Sequence, residues 1–309
     1  MSAPSVEQVA SALLYEGYLL YPYRRSALKN RQRFNFGVIY PREYSEAQQG
    51  SDPCEMQTEC LVEGDRDVAI NVTVRFLHLF ARTPAQPDDR IWHDAIEREI
   101  TIRVTLEELL ATPLTLRFEF PAAELPGRQV ELKGRVELGA EPTVPGVDRV
   151  RVAIANFTPA DPAGGRDEVM LRSLVSTHTI LRATGGEFLS LTDPPAAVKS
   201  AAAACRNVGT WPVLAGEDGA RDTVLSSPII VPDFPTIAPE SPGEFFDGTE
   251  MDEMLSLRIL TLTDEEKREM AASDERVRQL LERTEAFDEQ QLLRMHGVLR
   301  EIRALEEAP

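Results

Sequence analysis

Residues 68–82 read VAINVTVRFLHLFAR, a run long enough to separate strand from helix. Val68, Ile70, Val72, Val74 and Phe76 recur at every second position, which places them on one face of an extended strand. A helix would scatter the same residues around its circumference. The stretch is rich in β-branched and aromatic side chains that suit a pleated, half-buried surface. The alternation predicts a sheet with one buried and one wet face.

Working outward, the same composition returns in MQTECLVEG (56–64), REITIRVTLEELL (98–110), LTLRFEFPA (114–122), RQVELKGRVELGA (128–140) and VDRVRVAIANFTP (147–159). Gly, Pro and Asp cluster between these segments, and no helix of crossover length separates them. Val130, Leu132, Val136 and Leu138 alternate like the first set, interrupted at Gly134. The expectation is an antiparallel, sandwich-like domain, not a doubly wound sheet. EVMLRSLVSTHTILRATGGEFLSL (168–191) reads as two further strands joined near Gly185 and Gly186, followed by a short Ala-rich helix in PPAAVKSAAAACRNVG (194–209). On the N-terminal side, RFNFGVIYP (33–41) alternates Phe34, Phe36, Val38 and Tyr40 as a strand does. Before it, SVEQVASALLYEGYLL (5–20) has helical spacing over roughly 5–16, with Ser5 placed to cap it.

Beyond residue 225 the pattern changes. SSPIIVPDFPTIAPESPGEFFDGT (226–249) carries Pro228, Pro232, Pro235, Pro239 and Pro242, which exclude regular helix and central strand and predict an extended connector. Residues 250–309 have helical periodicity with acids and bases spaced three or four apart, and Thr263 followed by Glu266 is a capping-box signature. The acids Glu250, Asp252 and Glu253 suit a helix N-terminus better than a calcium loop. The expected organisation is a mainly β (α+β) chain: an antiparallel domain with a short N-terminal helix over 1–225, a connector over 226–249, and an acidic helical tail over 250–309.

The formal net charge of −18 disfavours nucleic acid and anionic lipid as partners. No basic n-region opens the chain and no apolar run reaches bilayer length, so a soluble protein without membrane insertion is expected. Cys54, Cys60 and Cys205 are an odd number in a chain too long to need disulfides, which suggests reduced thiols and a cytoplasmic setting.

Against the acidic background one segment stands apart. Between Gly17 and Arg42 there is no acid, while Arg24, Arg25, Lys29, Arg31, Arg33 and Arg42 lie among Tyr18, Tyr21, Tyr23, Phe34, Phe36 and Tyr40. Arginine with tyrosine is the composition of interface hot spots, so this segment is read as a protein-docking surface for a partner or for the chain's own acidic tail. Strand packing with a solvated basic edge is the competing reading. Trp211, Phe234 and Phe245 join Tyr18, Tyr21, Tyr23, Arg24, Arg25, Lys29, Arg31 and Arg33 as expected partner-binding residues.

No nucleophile elbow, phosphate loop or paired metal-ligand spacing is present, so no catalytic residue and no cofactor is assigned. Cys54 and Cys60 are too widely spaced for a zinc pair, and His78, His93, His178 and His296 are scattered. Cys205, His178 and Asp252 remain the candidates for a metal-binding or enzymatic alternative. The third alternative is a structural homo-oligomer in which the acidic tail of one copy docks on the basic segment of another.

Three stretches carry a family resemblance: LLYEGYLLYPYRRSALKNRQRFNFGVIYP (13–41), LRSLVSTHTIL (171–181) with FLSLTDPP (188–195) and CRNVGTWPVLAG (205–216), and LSSPIIVPDFPTIAPESPGEFFDGTEMDEMLSLRILTLTDEEKREM (225–270). With the helical tail they resemble an uncharacterised bacterial protein family associated with gene clusters of high-affinity uptake NiFe hydrogenases. The resemblance implies an accessory role in hydrogenase assembly or maturation, with a hydrogenase subunit or maturation factor as partner. It carries over no site residues.

Overall fold

The computed structural model describes residues 6–31, 33–82, 92–124, 127–238 and 241–295. The chain divides into two compact units: Met1–Tyr15 with Phe34–Thr236, and Glu16–Arg33 with Ile237–Pro309. The chain therefore leaves the first unit at Tyr15, returns at Phe34 and leaves again at Thr236. That partition differs from the consecutive blocks expected from composition.

The first unit is mainly antiparallel β. Its strands are β1 (Glu55–Ala81), β2 (His93–Thr105), β3 (Leu114–Phe120), β4 (Leu132–Val144), β5 (Val147–Asn156), β6 (Leu174–Leu189), β7 (Trp211–Leu214) and β8 (Thr223–Ser227). They pair in the order β3-β4-β5-β1-β6-β8-β7, with β2 also on β1.

β1 organises the sheet because it is long enough to serve two neighbours on one edge. Glu55–Glu63 pairs with β5 and Ala69–Ala81 pairs with β2, while β6 follows the other edge through a register shift between Gly64 and Ala69. A side chain at Gly64 or Gly186 would come 2.6 or 2.7 Å from Val68 Cγ2, so glycine is required where the two backbones cross. The segments MQTECLVEG and VAINVTVRFLHLFAR are thus one strand, and the two strands expected around Gly185 and Gly186 are one strand, β6. In both places the glycine marks an irregularity that pairing carries through, not a turn.

The even-numbered residues of β1, including Cys60, Val62, Val68, Ile70, Val72, Val74 and Phe76, face one core. Ile100 and Ile102 of β2 reach it from one arm of the fork, and Val136, Leu138, Val150 and Val152 of β4 and β5 from the other. A sandwich-like arrangement fits this fork. The segment LEELL, expected to extend β2, is instead a helix, α3 (Leu106–Ala111). Thr105 Oγ1 accepts from Glu108 N at 3.3 Å, the Glu108 carboxylate accepts from Thr105 N at 2.8 Å, and Leu106 and Leu109 turn into the core. On the other face α1 (Val6–Leu14), taking its place ahead of α3 in the chain, buries Val6, Val9, Ala10 and Leu14. It is tied to the sheet by Ser11 Oγ, which accepts from Arg75 at 3.2 Å, and by a Glu7–Arg182 ion pair. The cap expected from Ser5 lies outside the described residues.

Short helices complete the first unit: α2 (Arg42–Ala47), α4 (Arg166–Met170) and α5 (Lys199–Ala203). The last is the expected Ala-rich helix, and it packs on Leu61, Val147 and Leu189. Residues 33–41 are not the expected strand. Phe34 and Gly37 have φ of +58° and +52°, which break the extended chain, and only Ile39 makes an isolated bridge, to Leu174. The extended connector keeps its expected lack of helix from Pro228 to Ile237, and Phe234 N donates to Leu214 O at 2.7 Å.

The second unit holds α6 (Asp252–Leu260), α7 (Asp264–Ala271), α8 (Glu275–Glu285) and α9 (Glu289–Met295). The capping box at α7 forms as expected, with Thr263 Oγ1 accepting from Glu266 N at 3.3 Å and Glu266 accepting from Thr263 N at 2.9 Å. Leu255, Ile259, Met270, Val277, Leu280 and Leu281 supply its apolar core. The tail beyond 295 lies outside the described residues.

Candidate functional site

The basic, aromatic segment completes the second unit. Tyr18 is 4% exposed and Tyr23 0%. The Tyr23 hydroxyl donates to Phe245 O at 2.8 Å, and the Tyr18 hydroxyl donates to Asp274 Oδ2 at 3.0 Å. Burial, reinforced by Asp247 and Asp252, pushes the Tyr23 phenol far above its ordinary range and keeps it a donor. Arg25 Nε donates to Ser273 O at 3.0 Å, in the turn between α7 and α8. Arg24 pairs with Glu266 and Glu269 at 3.3 and 3.5 Å.

The remaining expected residues follow the same pattern. The Tyr21 ring lies 5.7 Å from Lys29 Nζ and 5.6 Å from the Arg258 guanidinium, and Arg33 lies over the Tyr18 ring at 4.5 Å. Phe245 is buried, with Arg283 5.5 Å from its ring. Arg31 ends a 3₁₀ turn (Leu28–Arg31); its side chain lies outside the described residues. Asn30 was not expected to matter, yet it is buried and fastens the loop, donating to Leu20 O and Arg24 O at 2.8 and 3.0 Å and accepting from Leu20 N at 2.9 Å. The docking of the basic segment on the acidic tail is therefore seen within one chain, where it uses the groups an intermolecular version would need.

The three metal candidates are not brought together. His178 is fully buried in β6, where Nδ1–H donates to Ser176 O at 2.6 Å and Nε2 accepts from Ser227 Oγ at 3.3 Å. Burial lowers its pKa to about 4, so the ring is neutral. Burial pushes the Cys205 thiol up to about 11, which makes it a poor thiolate. Asp252 belongs to the other unit, and burial raises its pKa also. Among the described residues no group of three His, Cys, Asp or Glu is arranged to hold a metal ion. His296 lies outside the described residues.

What the first unit offers is a trough of about 460 Å³ across the odd-numbered, polar face of β3, β4, β5 and β1. Glu59, Glu137, Glu141, Arg149 and Arg151 line it, and Gly139 leaves its floor without a side chain. Its guanidiniums are fixed in place: Arg149 Nε donates to Glu141 Oε1 at 2.7 Å, with Glu59 3.7 Å away, and Arg151 Nε donates to Gln57 Oε1 at 2.6 Å. The turn carrying Cys205 is tied to it, since Ala204 O accepts from Arg149 at 3.0 Å and Arg206 N donates to Glu59 at 2.7 Å. Read along the sequence, these charges are the wet face of ordinary strands; only the omission of a side chain at Gly139 hints at the trough. Of the other expected partner-binding residues, Trp211 is exposed at 45% beside exposed Val208, whereas Phe234 is half-buried against the core.

No family model matches the chain, and no curated protein matches it. Among solved structures, the secretin InvG of the Salmonella SPI-1 type III secretion injectisome, residues 176 to its end in the open-gate state, aligns with 71% of this chain and 75% of that one. The identity is 11% and the TM-score 0.16, a likeness that carries no argument about fold or function.

Proposed function

We propose that this protein is a non-enzymatic accessory or scaffold factor whose trough receives an extended segment of a partner protein. The observation that supports this reading is the trough itself. Its volume falls in the range of ligand clefts, about 300–1,000 Å³, and its charges of both signs are held in place before anything binds, which lowers the ordering cost of association. A floor bare at Gly139 lets a backbone approach the sheet closely. Carboxylates and guanidiniums at fixed spacing suit a polypeptide carrying both charges.

The family resemblance makes a NiFe uptake hydrogenase subunit or maturation factor the partner to try first. In this reading the protein works in the cytoplasm, where Cys54, Cys60 and Cys205 stay reduced. Among the described residues no helix is long and apolar enough to cross a membrane.

The test exploits the open floor. A Cβ at Gly139 meets nothing within 4 Å, so Gly139→Leu should project into the trough with the fold retained. In affinity purification from cells expressing the hydrogenase cluster, the native protein should retain a partner in fixed ratio and Gly139→Leu should lose it. Retention of the same partner by a folded Gly139→Leu protein would show that the trough is not the binding site.

A further inference from the structure

We propose that β3 is a self-complementary edge through which two copies of this chain join their sheets antiparallel about a two-fold axis at Phe118. This goes beyond the trough reading and does not depend on it. Among the described residues β4 is the only strand paired with β3, and none of them pairs with its other edge. Which backbone groups point there follows from β4. Lys133 N donates to Thr158 Oγ1 and Lys133 O accepts from Phe157 N, so Lys133 faces the β5 side and the even residues of β4 face β3. Their partners Leu114, Leu116, Phe118 and Phe120 face back, which leaves the N–H and C=O groups of Thr115, Arg117 and Glu119 directed outward.

The other open edges are less suited to pairing than this one. β7 has four residues and contains Pro212, and β2 exposes no large apolar side chain. β3 instead leaves Leu114 and Leu116 each 37% exposed on the side of the sheet that holds the core. An edge with unpaired backbone and exposed leucines is a template for another strand.

Side-chain charge selects a second copy of this chain and one register. Arg117 and Glu119 are exposed, and Glu119 has only Lys133, 3.9 Å away, as an ion-pair partner among the described residues. A pairing centred on Arg117 or on Glu119 would set like charges opposite each other, which destabilises a sheet. Centring on Phe118 sets Arg117 opposite Glu119 of the second copy, twice by symmetry, and those are the residues whose backbones point outward. The same register lays Leu116 against Phe120 of the second copy and covers the exposed leucine. Pro121, which follows β3, ends the ladder.

Sedimentation velocity on the purified chain tests this. The native protein should dimerise. R117E and E119R each replace both attractive pairs by repulsive ones and should weaken dimerisation about tenfold or more. The double variant R117E/E119R should dimerise again, and mixing the two single variants should give a heterodimer, since every cross-pair is then of opposite sign. Both side chains are exposed, so circular dichroism should match the native protein throughout. A monomeric native protein overturns the proposal, as does a dimer that both single variants leave unchanged.

Discussion

His178 and His78 are 1% and 0% exposed, and burial lowers the pKa of each to about 4, against an ordinary value near 6.5. A histidine whose folded pKa is depressed resists protonation in the native state while the unfolded chain takes up the proton. Stability from this source is therefore complete above the unfolded pKa and falls as pH drops toward the folded one. Between pH 6.5 and 5 each ring should cost the first unit about 1.5 kcal/mol. Trp92 and Trp211 both lie in that unit, so tryptophan fluorescence during denaturation reads it selectively. We expect the midpoint to fall on acidification over this interval and the fall to be roughly halved in His178→Gln; an unchanged pH slope in that variant would refute the account. The burial of His178 is not legible in its own stretch of sequence, because the residues around it come from β8 and β1, remote in the chain.

At the scale of elements, the segment 16–33 shows how like residues take unlike roles. Arg25 donates to a backbone carbonyl in the turn between α7 and α8, and Arg24 makes ion pairs while its side chain is 26% exposed. Losing a charge-assisted bond to a half-buried carbonyl costs about 1.5–3 kcal/mol, whereas exposed ion pairs contribute about 0–1 kcal/mol and are screened by salt. Arg25→Ala should therefore destabilise the second unit more than Arg24→Ala, measured by helical circular dichroism in denaturant, and only the smaller effect should shrink at high salt. Equal losses would mean that the contact to Ser273 contributes nothing beyond charge. The same scale shows where local reading fell short. LEELL in α3 obeyed its capping box, a signal within four residues that β-propensity in the preceding run concealed. Residues 33–41 alternate like a strand, but Phe34 and Gly37 adopt positive φ, and only Ile39 finds a bridge.

For the whole molecule, the decisive feature is that the second unit is discontinuous. Tyr18, Leu19 and Tyr23 are buried in it although more than 200 residues separate them from Phe245 and Asp274. A fragment of residues 237–309 should lose helical circular dichroism relative to that unit in the full chain and recover it when a peptide of residues 16–33 is added. Full, cooperative helicity in the fragment alone would show that the N-terminal segment is dispensable. Features that depend on neighbours a few residues apart are legible in the chain alone. They include the alternating strands, the capped helices, the proline-rich connector and the segregation of positive charge, because period-two and period-3.6 burial patterns and caps are local properties. Tertiary structure alone decided which strands share an edge of β1, that Gly64 and Gly186 are crossings within strands, and that the polar faces of β3, β4, β5 and β1 leave a trough. It also decided that the basic segment meets the acidic helices of its own chain. Those outcomes depend on contacts between residues far apart in the chain, whose pairing is fixed by mutual burial and not by any pattern within one segment.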